Sequence, residues 1–262
     1  MVNTVVMPSG PLSTEQERHF TEVCADARTG FRNAIDLVLI HNERTVRGNQ
    51  PRTTLNPLTV LLAVSAWERF VVDLRALALG EWGKPGLARP DRRASRVAWL
   101  GHPNNPARPG HAQQLIAELT GHQLPGSWMV RSFDGWAGTR PQVARELSGT
   151  APVELADQVD AWIRLRNAVA HRALAQDEAA GPYFESDAAN SHTIQAGWAR
   201  TVLAVFLQLT DQAIVAVAAA AGFARATRHR LPAQWFAGDP PAVLRGVTEP
   251  GALWGGYALH RP

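Results

Sequence analysis

A single cysteine, Cys24, and a single lysine, Lys84, stand in a chain of 262 residues. One cysteine excludes a disulfide framework and a cysteine-rich zinc site. One lysine among 26 basic residues leaves the positive charge almost wholly to arginine. Codon bias accounts for such a preference, and arginine forks also suit phosphates and aromatic faces. The first residues, Met1-Val-Asn-Thr-Val-Val-Met-Pro8, lack the basic start and apolar core of a signal peptide. No stretch alternates apolar and polar residues as a half-buried strand does, and no repeat of roughly 20–50 residues recurs. Phosphate-cradling P-loops, dinucleotide fingerprints and nucleophile elbows are also missing.

What is present is apolar and helical in period. Hydrophobic residues make up 45% and charged residues 19%, a globular balance, with a formal charge of +3 and a pI of about 9.7. Four long helices are expected. The first spans about 13–45, opened by a capping box of Ser13 and Gln16, with Gly30 interrupting it at modest cost. A second runs from Asn56-Pro57 to Gly80 through Val60, Val64, Trp67, Val71 and Leu74. A third covers about 153–175, and the last, Ala-rich and strongly apolar, about 191–221 after a linker from Asp177 to Ser191. Within the last, Thr201 to Phe223 resembles a membrane span, but Gln208, Asp211 and Gln212 interrupt its centre. A buried core helix in a cytoplasmic protein is the expectation.

Shorter helices are expected at about 111–120, 127–136 and 141–148. Residues 81–110 hold Pro85, Pro90, Pro103, Pro106 and Pro109, with Lys84, Arg89, Arg92, Arg93, Arg96 and Arg108 against Glu81 and Asp91. This basic insertion reads as a solvated loop or, with Trp99 as a stacking surface, as a phosphate-contacting flap. The tail, 223–262, is expected to be irregular and draped on the bundle by Trp235, Phe236, Leu244, Trp254 and Tyr257. The fold class is therefore all-α. A single domain, 1–262, forms an up-and-down bundle with its core at about 13–80 and 111–221.

One helix breaks its own pattern. In the third, Leu155, Val159, Trp162, Leu165 and Val169 form one apolar stripe, and Arg166 falls inside it. A guanidinium on the buried side of a helix is costly unless paired or wet. Asn167 and His171, four apart, share a second line. On the second helix, Glu68 and Arg75 lie seven apart at the shoulder of the apolar face. An Arg-x4-His spacing alone carries little, because chance supplies about one match in such a chain. His102, His111 and His122 lack any zinc-ligand spacing, so no metal is expected.

With that context, Arg166-Asn167-x-x-x-His171 resembles the signature of the HEPN domains (higher eukaryotes and prokaryotes nucleotide-binding), which are small helical bundles. Val64-Ser-Ala-Trp-Glu-Arg-Phe-Val-Val-Asp-Leu74 looks like the preceding helix of one prokaryotic branch, in which an acidic residue faces the motif. The two segments cover about 25 residues; the insertion and the tail have no counterpart in the resemblance. It implies a metal-independent endoribonuclease without cofactors, a toxin or anti-phage effector, working as a homodimer with one composite site. A cognate antitoxin protein is a further implied partner.

Residue chemistry permits this. His171 can move the 2′-hydroxyl proton near neutral pH, and Arg166 can hold the phosphate. Asn167 would bond the phosphate or orient the imidazole, Glu68 would hold the guanidinium, and Arg164, Arg172 and Arg75 would touch the RNA backbone. Products would be a 2′,3′-cyclic phosphate and a 5′-hydroxyl. Arg166 and His171 stand about 140° apart on an ideal helix, which favours a second subunit at the site. The alternatives are a non-catalytic helical module that binds a nucleotide, RNA or a partner protein, and a helical enzyme of another kind.

Overall fold

A computed structural model describes residues 14–42, 55–79, 112, 115, 133–134, 152–171, 184–186, 192–194, 196–223, 226–237, 253–254, 258–259 and 261. The fold is all-α. Among the described residues four long helices carry it: α1 (Thr14–Asn42), α2 (Leu55–Leu79), α3 (Pro152–His171) and α4 (Ala196–Ala220). All four follow from the apolar spacing, and each begins within a few residues of its expected start. The insertion 81–110 and the helix expected at 141–148 lie outside the described residues, as do Leu244 and Tyr257 of the tail.

α1 and α2 form the closest pair. α1 turns Phe20, Cys24, Phe31 and Ile35 inward, and α2 meets them with Val60, Val64, Trp67, Phe70 and Leu74. Gly30 is the reason they approach so closely, because a Cβ there would lie 2.9 Å from the Ala66 Cβ. The apparent interruption of the first helix is thus a packing requirement. α4 is buried on every side from Thr201 to Asp211, as expected of a helix at the centre of a bundle. By length and composition α2 and α4 could each cross a membrane, but α4's most apolar window is 78% buried, so that surface is spent on protein.

The end of α4 is set by Gly222 at φ 70, where Phe223 N–H reaches Ala218 O (3.1 Å) and Gly222 N–H reaches Ala219 O (3.0 Å). This is a Schellman cap, and it tucks Phe223 back onto Phe20, 5.5 Å between rings.

Two expectations are corrected. The linker from Asp177 to Ser191 contributes β2 (Phe184–Ser186), which pairs antiparallel with β3 (His192–Ile194). That hairpin occupies the first residues assigned to the last helix, which therefore starts at Ala196. Asn56 Nδ2 donates to Ile194 O (2.8 Å) and ties the hairpin to the start of α2. Phe133–Asp134, placed in a short helix by sequence, is β1 and pairs with β4, Ala258–Leu259, from the tail. Local periodicity carries no trace of a partner more than a hundred residues away.

The described part of the tail holds more local structure than expected. Short 3-10 turns at Ala226–His229 and Ala233–Trp235 bring Leu231, Trp235 and Phe236 into the core, where Leu253 and Trp254 are buried as well. Trp254 Nε1 donates to Trp235 O at 2.7 Å.

Candidate functional site

The α2–α3 seam holds the residues that the sequence singles out. α3 buries Val159, Trp162, Ile163, Leu165 and Ala168, with Val169 partly buried. This face is wider than the expected stripe, and Arg166 stands at its edge with 22% of its side chain exposed. Across the seam Glu68, equally exposed, accepts a hydrogen bond from Arg166 Nη2 and forms an ion pair with it. Burial pushes the Glu68 carboxyl above its ordinary range, and the Arg166 charge and hydrogen bond offset this only in part. Arg166 Nε is buried and has no acceptor among the described residues, and the same holds for Trp162 Nε1 one turn earlier.

The other candidates are placed unevenly. Asn167 and Arg164 are exposed beside Arg166. Arg75 is half-buried two turns beyond Glu68 and is not part of the ion pair. His171 is the last residue of α3, but its side chain lies outside the described residues, and so does the whole of Arg172. The structure therefore brings Arg166 and Glu68 together, with Asn167 flanking them. His102, His111 and His122 also lie outside the described residues, among which no three His, Cys, Asp or Glu side chains cluster as metal ligands.

Sequence reading missed a second polar centre, built on Asp211 in the C-terminal half of α4. Asp211 is fully buried and receives Arg230 Nη2 (2.7 Å), Arg261 Nε (3.1 Å) and Leu231 N–H (2.9 Å). Arg28 from α1 donates to three successive carbonyls of the tail, Arg228 O, His229 O and Arg230 O, at 2.8–3.2 Å. Beside them His229, 1% exposed, lies 3.3 Å from Glu17, with Phe20 against its ring. Burial holds the His229 pKa below its usual value, against the pull of Glu17. Cys24 is close enough to feel the charges of Arg28 and Asp211, and burial pushes its thiol to about 12, so it is inert as a nucleophile. The available signal was an acidic residue inside an apolar run, with unassigned arginines downstream in the tail.

The fold and the seam thus define an all-α bundle with a partly accessible arginine held by a carboxylate from the neighbouring helix. No protein-family model matches the chain, and no curated protein or solved structure matches it either.

Proposed function

We propose that this protein is a metal-independent endoribonuclease of the HEPN kind, with Arg166 and His171 as its working pair. The observation that carries the reading is Arg166 itself. It stands at the edge of a core face, is held by Glu68 from the neighbouring helix, and keeps 22% of its side chain exposed. A guanidinium oriented in this way is suited to a phosphodiester, whose non-bridging oxygens it can neutralise through a planar fork. His171, at the end of the same helix, takes the proton of the 2′-hydroxyl. The 2′-oxygen then bonds to phosphorus and the bond from phosphorus to the 5′-oxygen breaks. The departing 5′-oxygen receives a proton from the conjugate acid of His171 in one of two subunits. Asn167 is exposed one turn before His171, where it can bond a phosphate oxygen or the imidazole. Arg164, Arg172 and Arg75 supply backbone contacts to RNA. Such an enzyme acts in the cytoplasm as a homodimer, as a toxin or anti-phage effector with an antitoxin as a further partner.

A second reading has its own support. Glu68 already neutralises Arg166, as it would in a purely structural pair within a non-catalytic binding module. Incubating the purified chain with total RNA in EDTA separates the two. The ribonuclease reading expects fragments ending in 2′,3′-cyclic phosphate, lost in both His171→Ala and Arg166→Ala. Folded wild-type protein that cleaves no RNA would leave the binding module, and variants that cleave as well as wild type would remove the roles given to Arg166 and His171.

A further inference from the structure

α3 carries two buried nitrogen donors one turn apart, Trp162 Nε1 and Arg166 Nε, and neither meets an acceptor among the described residues. Trp162 is fully buried, packed edge-on against Phe206 at 6.1 Å, and Phe206 in turn lies 5.9 Å from Trp67. This aromatic wall closes one side of the space around the indole. Side chains four apart on a helix are neighbours, and long ones lean toward the preceding turn, which makes Arg166 and Trp162 neighbours on α3. Buried N–H groups are rarely left unpaired, and ordered water is the usual partner when no protein group serves.

We propose that the two N–H groups share one oxygen acceptor, an ordered water enclosed between the indole and the guanidinium, and that Trp162 is thereby a positioning residue for Arg166. An enclosed water needs two to four polar partners. The indole and the Arg166 Nε donate to it, and its own protons go to the Glu68 carboxylate, which has roughly four acceptor positions and gives one to Arg166 Nη2. The guanidinium is then fixed at its Nε end through water and at Nη2 by Glu68. The bearing on RNA cleavage rests on the reading above, whereas the link between Trp162 and Arg166 can be tested without it.

Nitrogen–proton NMR spectra of the full chain report both groups, as a tryptophan indole signal and an arginine Nε–H signal. Trp162→Phe keeps a ring in the wall and removes the donor. It is expected to shift the Arg166 Nε–H signal and to speed its exchange with solvent by about tenfold. Trp67→Phe alters the same aromatic cluster and is expected to leave that signal in place. The reciprocal variant, Arg166→Lys, is expected to speed exchange at the Trp162 indole, and it carries the test if Trp162→Phe does not fold. An Arg166 signal unchanged in folded Trp162→Phe overturns the proposal. So does one that moves as far in Trp67→Phe, or a Trp162 indole indifferent to Arg166→Lys. None of these readouts needs catalysis, so their failure is separate from a failure to cleave RNA.

Discussion

Asp211 and Glu68 are both carboxylates on long helices, and both meet arginine, yet they are built for different ends. Asp211 is fully buried, and its two oxygens are shared among Arg230, Arg261 and the Leu231 N–H. Every one of those donors belongs to the tail, so the centre converts a loose segment into part of the core. Among the described residues Glu68 meets one arginine, and both partners keep 22% exposure. A carboxylate surrounded by several donors is a structural anchor. A pair that keeps solvent access is not closed off from a ligand.

The contrast predicts an order of effects. Asp211→Ala should be the most damaging change, leaving two arginines and a backbone N–H without their acceptor. Removing one member of a buried ionic cluster costs about 3–5 kcal/mol, read as a lower urea midpoint. Glu68→Ala should cost less, about 1–3 kcal/mol, because Arg166 can turn to solvent once released. If Glu68→Ala proved the more destabilising, the division between anchor and site would fail. Arg261→Ala removes one of two arginines on Asp211 and the contact with the Phe236 ring, 4.9 Å away. Since Arg230 stays in place, the expected loss is about 1–2 kcal/mol.

The smallest effect is a difference in pH response. The folded pKa of Glu68 lies above its ordinary 4.5. As pH rises from there the unfolded chain loses this proton first, so the native state binds more protons and stability falls. Burial shifts Asp36 and Asp73 in the same sense. His229 behaves oppositely, with a folded pKa below its ordinary 6.5. As pH drops below that value the unfolded chain gains the proton first, and stability falls with acid. Thermal midpoints measured from about pH 4 to 8 should show a shallower first slope in Glu68→Gln, with Asp36 and Asp73 still contributing, and lose the second in His229→Gln. Unchanged profiles in both variants would show that neither group is as buried as described.

The helices were legible because each keeps an apolar face at helical spacing over 20 residues or more. The Glu68–Arg166 pair was legible because an arginine beside a core stripe needs an acidic partner, and the preceding helix offered one at its shoulder. The β1–β4 pairing and the Asp211 centre were not. Each joins residues distant in sequence, and their partners, Ala258–Leu259, Arg230 and Arg261, sit in a stretch whose prolines and glycines hide its order. The packing role of Gly30 was not legible for a related reason, since its neighbour Ala66 is on another helix.

On the proposed function the arginine at the seam acts on RNA, while the arginine at the anchor only holds the fold. Cleavage of total RNA in EDTA by wild type, Arg166→Ala and Arg261→Ala, at a temperature where all three are folded, addresses this directly. The predicted result is cleavage by wild type and Arg261→Ala, with about a hundredfold loss or more in Arg166→Ala. Equal cleavage by Arg166→Ala and wild type, or loss in both variants alike, would contradict it.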